Sequence, residues 1–222
     1  MPDKTIVSSD KPVCLVGGAP IEKDAISAVL SHVNAFIGVD GGANHLLAAD
    51  VTPDAVIGDL DSLSDQARAT FADRLHPVAE QSTTDFEKAL TRVAAPVVFA
   101  IGFTGGRLDH TLSVLNVIAQ HPDRAVILLD KDDVSFLAHI GTTAFDLARG
   151  TRISIMPLGL ATVSVLGVQW PFTAQRMTPD GFTSPSNAAL GGQVTIETDG
   201  SVLVTLPRAL WQTAAQAAVR AR

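Results

Sequence analysis

Three times within its first 62 residues the chain repeats one phrase, a short and wholly apolar run that stops on glycine or aspartate. Val13-Cys14-Leu15-Val16 stops at Gly17-Gly18-Ala19-Pro20, Ala35–Val39 at Asp40-Gly41-Gly42-Ala43-Asn44, and Ala55-Val56-Ile57 at Gly58-Asp59-Leu60-Asp61-Ser62. Runs this short and apolar read as strands buried on both faces. The stretches between them, near Ile21–Ser31 and Asn44–Ala49, read as helices. Such alternation predicts a parallel sheet with helices on both faces. Sheets of this kind take ligands outside the carboxyl ends of their strands, so all three loops are expected on one edge.

The phrase continues with a helix over Ser64–Arg74, a short strand near Pro77–Ala79, and a helix entered through Glu80-Gln81-Ser82-Thr83-Thr84-Asp85 with Thr83 or Thr84 as its cap. Strand Pro96–Ile101 then ends in Gly102-Phe103-Thr104-Gly105-Gly106-Arg107-Leu108-Asp109-His110, where Asp109 opens another helix, and Ala125–Leu129 and Val134–His139 follow. From Gly141 onward the pattern becomes short β runs: Thr151–Met156, Thr162–Leu166, Gln193–Thr198 and Ser201–Leu206, the last two joined by Asp199-Gly200, a strong hairpin signal. Trp170-Pro171-Phe172 and a long polar loop with Ser184-Pro185-Ser186-Asn187 lie between them, and alanine-rich residues 208–222 suit a helix. The expected fold class is α/β, with a Rossmann-like parallel-sheet domain over 1–140 and an all-β sandwich domain over 141–222.

Composition narrows the function. Sixteen Lys and Arg against 23 Asp and Glu give a net charge of −7, which speaks against a broad nucleic-acid surface. An anionic ligand would need local positive groups or a cation. One cysteine, Cys14, sits in an apolar run, so neither a disulfide framework nor a cysteine zinc site is available. Met1–Lys11 is polar, and no stretch approaches the ~20 apolar residues of a membrane span. The cytoplasm is the expected compartment.

Asp59 and Asp61 carry the chemistry most plainly. Residues i and i+2 of an extended segment point the same way, so both carboxylates can share one space while Leu60 turns to the core. Mg²⁺ is usually held by one or two carboxylates plus substrate phosphates. The other reading is a turn in which Asp61 or Ser62 caps the next helix. Gly105-Gly106-Arg107 can fold around phosphate, since arginine offers a planar fork of donors; alternatively, Arg107 and Asp109 form a surface ion pair. No G-x-G-x-x-G follows the first strand and no G-x-x-x-x-G-K-[ST] loop occurs, and His110 has no second ligand at zinc spacing.

Taken in order, Asp40-Gly41-Gly42-Ala43, Gly58-Asp59-Leu60-Asp61-Ser62, Gln81 through Asp85, Gly106-Arg107-Leu108-Asp109-His110 and Ser184-x-Ser186-Asn187 resemble the thiamine pyrophosphokinase family, with the match running from about Val13 to Pro207. Glu80 stands where the family often has aspartate, and Ala188-Ala189-Leu190 is more aliphatic than the family's pattern. The resemblance implies transfer of a diphosphate from ATP to thiamine, giving thiamine diphosphate and AMP. It places Mg²⁺ on Asp59, Asp61 and Asp85. Arg107 would contact phosphate, and Gln81, Thr84 and Asp109, with Asp40, Gly41, Gly42, Gly106 and His110, would hold ATP. Trp170, Ser184, Ser186 and Asn187 would receive thiamine; packing in the sandwich core is the other reading of Trp170. A homodimer is implied, one subunit's β domain reaching the other's nucleotide site. A Mg²⁺-dependent nucleotide phosphohydrolase and a non-catalytic nucleotide sensor are the rival functions.

Overall fold

In the computed structural model, which describes residues 4–219, the three apolar runs are strands buried along their whole length: Val13–Val16, Ala35–Val39 and Ala55–Gly58. Nearly every position carries an aliphatic or aromatic side chain, so neither face can be left to water. The three pair in parallel. Val13–Val16 takes Val98–Ile101 on its other side, and Ala55–Gly58 takes Leu75–Pro77, both also parallel. The carboxyl ends of these five strands therefore share one edge. In chain order the strands step outward from Val13–Val16 to Leu75–Pro77, then return to the opposite flank for Val98–Ile101. The winding thus reverses beside Val13–Val16, the kind of switch point where α/β sheets hold ligands.

Helix Gly42–Ala48 packs on Val13–Val16 and Ala35–Val39, and helix Asp85–Arg92 on Ala35–Val39 and Ala55–Gly58. Close approach is built in at glycine. A Cβ on Gly42 would lie 1.7 Å from the Val16 carbonyl oxygen, so only glycine lets this helix begin so near the first strand.

Several elements differ from expectation. Ile21–Ser31 is a series of turns, with only Leu30–His32 forming a 3₁₀ helix. Its amides close mostly on the third residue back, as in Ala25 to Glu22 and Val29 to Ile26, and the Ser27 hydroxyl is drawn to the Asp24 carbonyl. Ala25, Ile26 and Val29 are still buried. The Ser64–Arg74 helix splits into Asp65–Thr70 and a 3₁₀ turn at Ala72–Arg74, and the next strand is Leu75–Pro77 rather than Pro77–Ala79.

The chain forms two compact units, one through Val117 and one from Ile118. This partition puts Val126–Leu129 and Asp133–Leu137 with the C-terminal strands, because Asp133–Leu137 pairs antiparallel with both Val126–Leu129 and Val202–Pro207. Arg152–Pro157 and Ser184–Ala188 extend that sheet. A second antiparallel sheet runs Gly141–Leu147, Gly192–Thr198, Ala161–Leu166, Phe172–Met177. Alternate residues of its strands are buried, Phe145, Leu147, Val163, Val165, Val194 and Ile196 among them. Phe145 meets Phe136 of the other sheet edge to face, 5.9 Å between ring centroids. Ser184–Ala188, expected as loop, is a strand. Helix Trp211–Ala218 packs on Asp133–Leu137 through a face that includes buried Ala214 and Ala218.

Cys14 is fully buried and burial pushes its thiol pKa up, as suits a core residue. Among the described residues no helix is long and apolar enough to cross a membrane.

Candidate functional site

Strand Ala55–Gly58 ends directly on the acids. Between them Leu60 is buried with Ala43, Val56, Leu63, Ala67 and Phe71, and its backbone is left-handed at φ 65°. The chain therefore turns at Leu60, and the expected i, i+2 alternation along an extended segment is corrected. Asp59 and Asp61 are brought together by that turn, with the Asp61 N–H donating to Asp59 Oδ1 at 3.3 Å. Neither Asp61 nor Ser62 caps the following helix; Ser64 does so, its Oγ accepting from the Ala67 N–H at 3.2 Å.

A third carboxylate arrives from the neighbouring strand. Val39 pairs with Ile57, and the Asp40 N–H donates to the Ile57 carbonyl at 2.9 Å, which sets Asp40 beside the Asp59 loop. One oxygen each from Asp40, Asp59 and Asp61 lie within 4.8 Å of one another. Three like charges so close repel, and a cation among them relieves that. A donor set made only of carboxylate oxygens fits a hard divalent ion such as Mg²⁺.

The loop is braced from several directions. Asn44 Nδ2 donates to the Ser62 carbonyl at 3.0 Å while Asn44 Oδ1 accepts from the Ser64 N–H at 3.0 Å. The Ser62 N–H donates to Asp40 Oδ1 at 3.3 Å, the Ser62 hydroxyl to Asp61 Oδ1 at 2.8 Å, and the Arg68 guanidinium to the Leu60 carbonyl. Gln81 Nε2 donates to Asp59 Oδ2 at 3.3 Å. Sequence reasoning missed Asn44 and Arg68 and assigned Asp40 to nucleotide alone. Neither Asn44 nor Arg68 carried a local signal, because their partners are backbone groups of a loop outside their own helices.

Asp85 stands outside this trio. It opens helix Asp85–Arg92, and its Oδ1 accepts from the buried Lys88 ammonium at 2.9 Å. Thr84 caps that helix, its Oγ1 accepting from the Glu87 N–H at 3.3 Å. Just before it, Glu80 accepts from the Ser82 N–H and hydroxyl at 2.8 and 2.6 Å and from the Thr83 N–H and hydroxyl. These bonds, the Ser82 and Thr83 hydroxyls first, lower the Glu80 pKa from 4.5 to about 2. A pKa lowered by folding adds stability above the unfolded value that is lost as pH falls through the folded one. The Glu80 turn should thus hold above pH 4.5 and weaken between about 4.5 and 2, and Glu80→Gln should flatten thermal-melt pH dependence in that window alone.

At the switch point the first and last loops touch. The Ala19 N–H donates to the Gly102 carbonyl at 2.9 Å, and a Cβ on Gly17 would lie 2.4 Å from that same oxygen. His45 Nε2 lies 3.0 Å from the Ala19 carbonyl, so Nε2 carries the proton. Beyond Gly102 the chain emerges: Gly105, Gly106, Arg107, Asp109 and His110 are exposed. Arg107 grips Asp109 with two donors, Nε to Oδ1 at 3.2 Å and a terminal nitrogen to Oδ2 at 2.6 Å. This fork raises the Arg107 pKa and lowers that of Asp109. Phosphate and surface-pair readings both accommodate this geometry.

In the C-terminal unit Trp170 is 58% exposed, not part of the core. Its backbone is held by Asn187, which is buried: Asn187 Oδ1 accepts from the Trp170 N–H at 3.2 Å, and Nδ2 donates to the Trp170 carbonyl at 2.9 Å and to Ser184 Oγ at 3.3 Å. Ser186 is exposed, with φ 56° and its N–H on Ser154 Oγ at 3.1 Å. Ser184, Asn187 and Trp170 are thus one cluster, in which the Asn187 amide is committed to the protein.

The models of two domains match this chain: the thiamin pyrophosphokinase catalytic domain over residues 26–128 and the thiamin pyrophosphokinase vitamin B1 binding domain over residues 143–203. The rice thiamine pyrophosphokinase 3 is 29% identical over 175 residues, covering 69% of this chain and 66% of the rice protein. The thiamin pyrophosphokinase from Candida albicans superposes with a TM-score of 0.78 at 17% identity over 90% of this chain and 92% of that one. The enzyme from Geobacillus thermodenitrificans gives 0.73 at 25% identity over 88% and 96%. The chain belongs to the thiamine pyrophosphokinase family.

Proposed function

We propose that this chain transfers a diphosphate from ATP to the hydroxyethyl oxygen of thiamine, giving thiamine diphosphate and AMP. The observation that carries the reading is the convergence of Asp40, Asp59 and Asp61 on the edge that also bears the Gly105-Gly106-Arg107 loop, in a chain of this family. Transfer of phosphoryl-type groups depends on positioning and on neutralising charge at phosphate oxygens. Asp59 and Asp61, with Asp40 beside them, would hold Mg²⁺, and Asp85 is proposed from its motif to complete the set. The ion would supply that charge neutralisation. Arg107 directs its fork at phosphate oxygens; Gln81, Thr84, Asp109 and His110 position the nucleotide, and Gly41, Gly42 and Gly106 let it approach the backbone.

The domain reading accompanies this function. Residues 1–140 are proposed as a Rossmann-like ATP- and Mg²⁺-binding domain, supported by the five parallel strands. Residues 141–222 are proposed as a thiamine-binding β-sandwich, supported by the antiparallel pairing of Gly141–Leu147, Gly192–Thr198, Ala161–Leu166 and Phe172–Met177 and of Arg152–Pro157 with Ser184–Ala188 and Val202–Pro207. A homodimer is also proposed; sedimentation at the monomer mass would remove it.

Mixing protein, Mg²⁺, ATP and thiamine should release AMP and thiamine diphosphate together. Rapid ATP hydrolysis without thiamine would indicate a phosphohydrolase, and binding without AMP a sensor.

Trp170 supports the thiamine side. The thiazolium is a flat, permanent cation, and a tryptophan face attracts such a group by about 0.5–2 kcal/mol, equivalent to roughly 2- to 30-fold in binding. Trp170→Ala should raise the thiamine KM by that factor and leave the ATP KM nearly unchanged. Thiamine should also quench fluorescence of wild type and of Trp211→Phe, but not of Trp170→Phe. An unchanged thiamine KM in Trp170→Ala would move the pocket elsewhere.

A further inference from the structure

We infer that Asn44 is a positioning residue for the acidic loop, setting how well Asp59 and Asp61 bind a divalent cation; this rests on the proposal that those two carboxylates hold one. Both ends of its amide are spent on that loop. Nδ2 donates to the Ser62 carbonyl and Oδ1 accepts from the Ser64 N–H, each at 3.0 Å. The side chain thus bridges two backbone groups as a neighbouring strand would, from a helix 18–20 residues away in sequence.

The loop needs such an anchor. Leu60 and Asp40 hold positive φ, 65° and 46°, without being glycine, and backbone of that kind persists only where its surroundings over-determine it. Leu60 is fixed by burial and by Arg68 on its carbonyl. On the far side of Asp61 the corresponding anchor is Asn44, and the Ser62 residue it grips donates in turn to Asp40 Oδ1 and to Asp61 Oδ1. Asn44 therefore touches a residue bonded to two of the three carboxylates. It needs no contact with the cation. Residues that orient ligands in this way typically change metal affinity or activity by about 10- to 100-fold when removed.

Two substitutions separate positioning from other roles. Asn44→Ala removes both bonds and places the best helix former inside helix Gly42–Ala48, so the helix itself is not weakened. Asn44→Asp keeps size and the acceptor for Ser64, but turns the donor facing the Ser62 carbonyl into an acceptor. It also adds a negative charge beside the acids. Electrostatics alone would then tighten cation binding, whereas a displaced loop loosens it.

The test is a Mn²⁺ titration of the full chain without nucleotide, whose phosphates would themselves take up the ion, free Mn²⁺ being read by electron paramagnetic resonance, with Asp59→Asn run in parallel. Asp59→Asn should weaken Mn²⁺ binding strongly, and Asn44→Ala and Asn44→Asp should each weaken it by about tenfold. Either Asn44 variant binding Mn²⁺ as tightly as wild type, while Asp59→Asn binds poorly, overturns the inference and leaves the cation site standing. Unchanged binding in Asp59→Asn removes the cation site and the inference with it. Should Asn44→Ala fail to fold, as judged by circular dichroism, the Asn44→Asp titration decides by the same criterion.

Discussion

Asp59→Asn and Asp61→Asn should each lower turnover by on the order of 100- to 1000-fold while the protein stays folded. Asparagine keeps the shape of the side chain and an acceptor oxygen, so the Asp61 N–H retains its partner at position 59. What disappears is one charge of three whose oxygens lie within 4.8 Å of one another. Without a cation that crowding is repulsive, so removing a charge should leave thermal stability equal or slightly higher. A capping role predicts the reverse, a loss of about 1 kcal/mol with activity kept, and Ser64 already fills the cap of the next helix. Active but destabilised variants at both positions would remove the acids from catalysis.

Arg107→Lys should cost about 10- to 100-fold in kcat although charge is conserved. Two donors of one planar group now meet two oxygens of Asp109, a geometry an ammonium cannot copy and one that phosphate oxygens can use in the same way. The pair is open to water, its side chains 70% and 64% exposed, so it contributes little to stability. The melting temperature should move by less than about 2 °C. A lysine variant with near-normal kinetics would leave Arg107 as a surface partner of Asp109 and nothing more.

What could be read in advance depended on how locally each feature is specified. Val13–Val16, Ala35–Val39 and Ala55–Gly58 announce themselves because continuous apolar runs stopped by Gly or Asp have few other uses. Ile21–Ser31 has the same clarity of pattern but not the same structure: Ala25, Ile26 and Val29 do face inward, yet the backbone closes in tight turns that the pattern does not distinguish from a helix. Ser184–Ala188 carried no strand signal, since Pro185 and three polar residues resemble a loop; its pairing with Arg152–Pro157 and its buried Asn187 are tertiary facts. The site divides in the same way. Asp59 and Asp61 are two residues apart and visible as a pair, whereas Asp40 joins them only through the parallel register of Val39 with Ile57. Asn44 and Arg68 act on backbone groups, the Ser62 carbonyl and Ser64 N–H for one and the Leu60 carbonyl for the other, and a backbone partner leaves no trace in residue identity.

The double grip of Asn187 on the Trp170 N–H and carbonyl has an entropic consequence. An indole standing 58% in water would ordinarily ride on a loop that must be ordered when a ligand arrives, at a cost of about 1–2 kcal/mol for each residue's backbone. Here that ordering is completed during folding, and only rotation of the ring remains to be lost. If Trp170 receives the thiazolium as proposed, almost none of the modest attraction of a single aromatic face is consumed in arranging the surface that meets the cation.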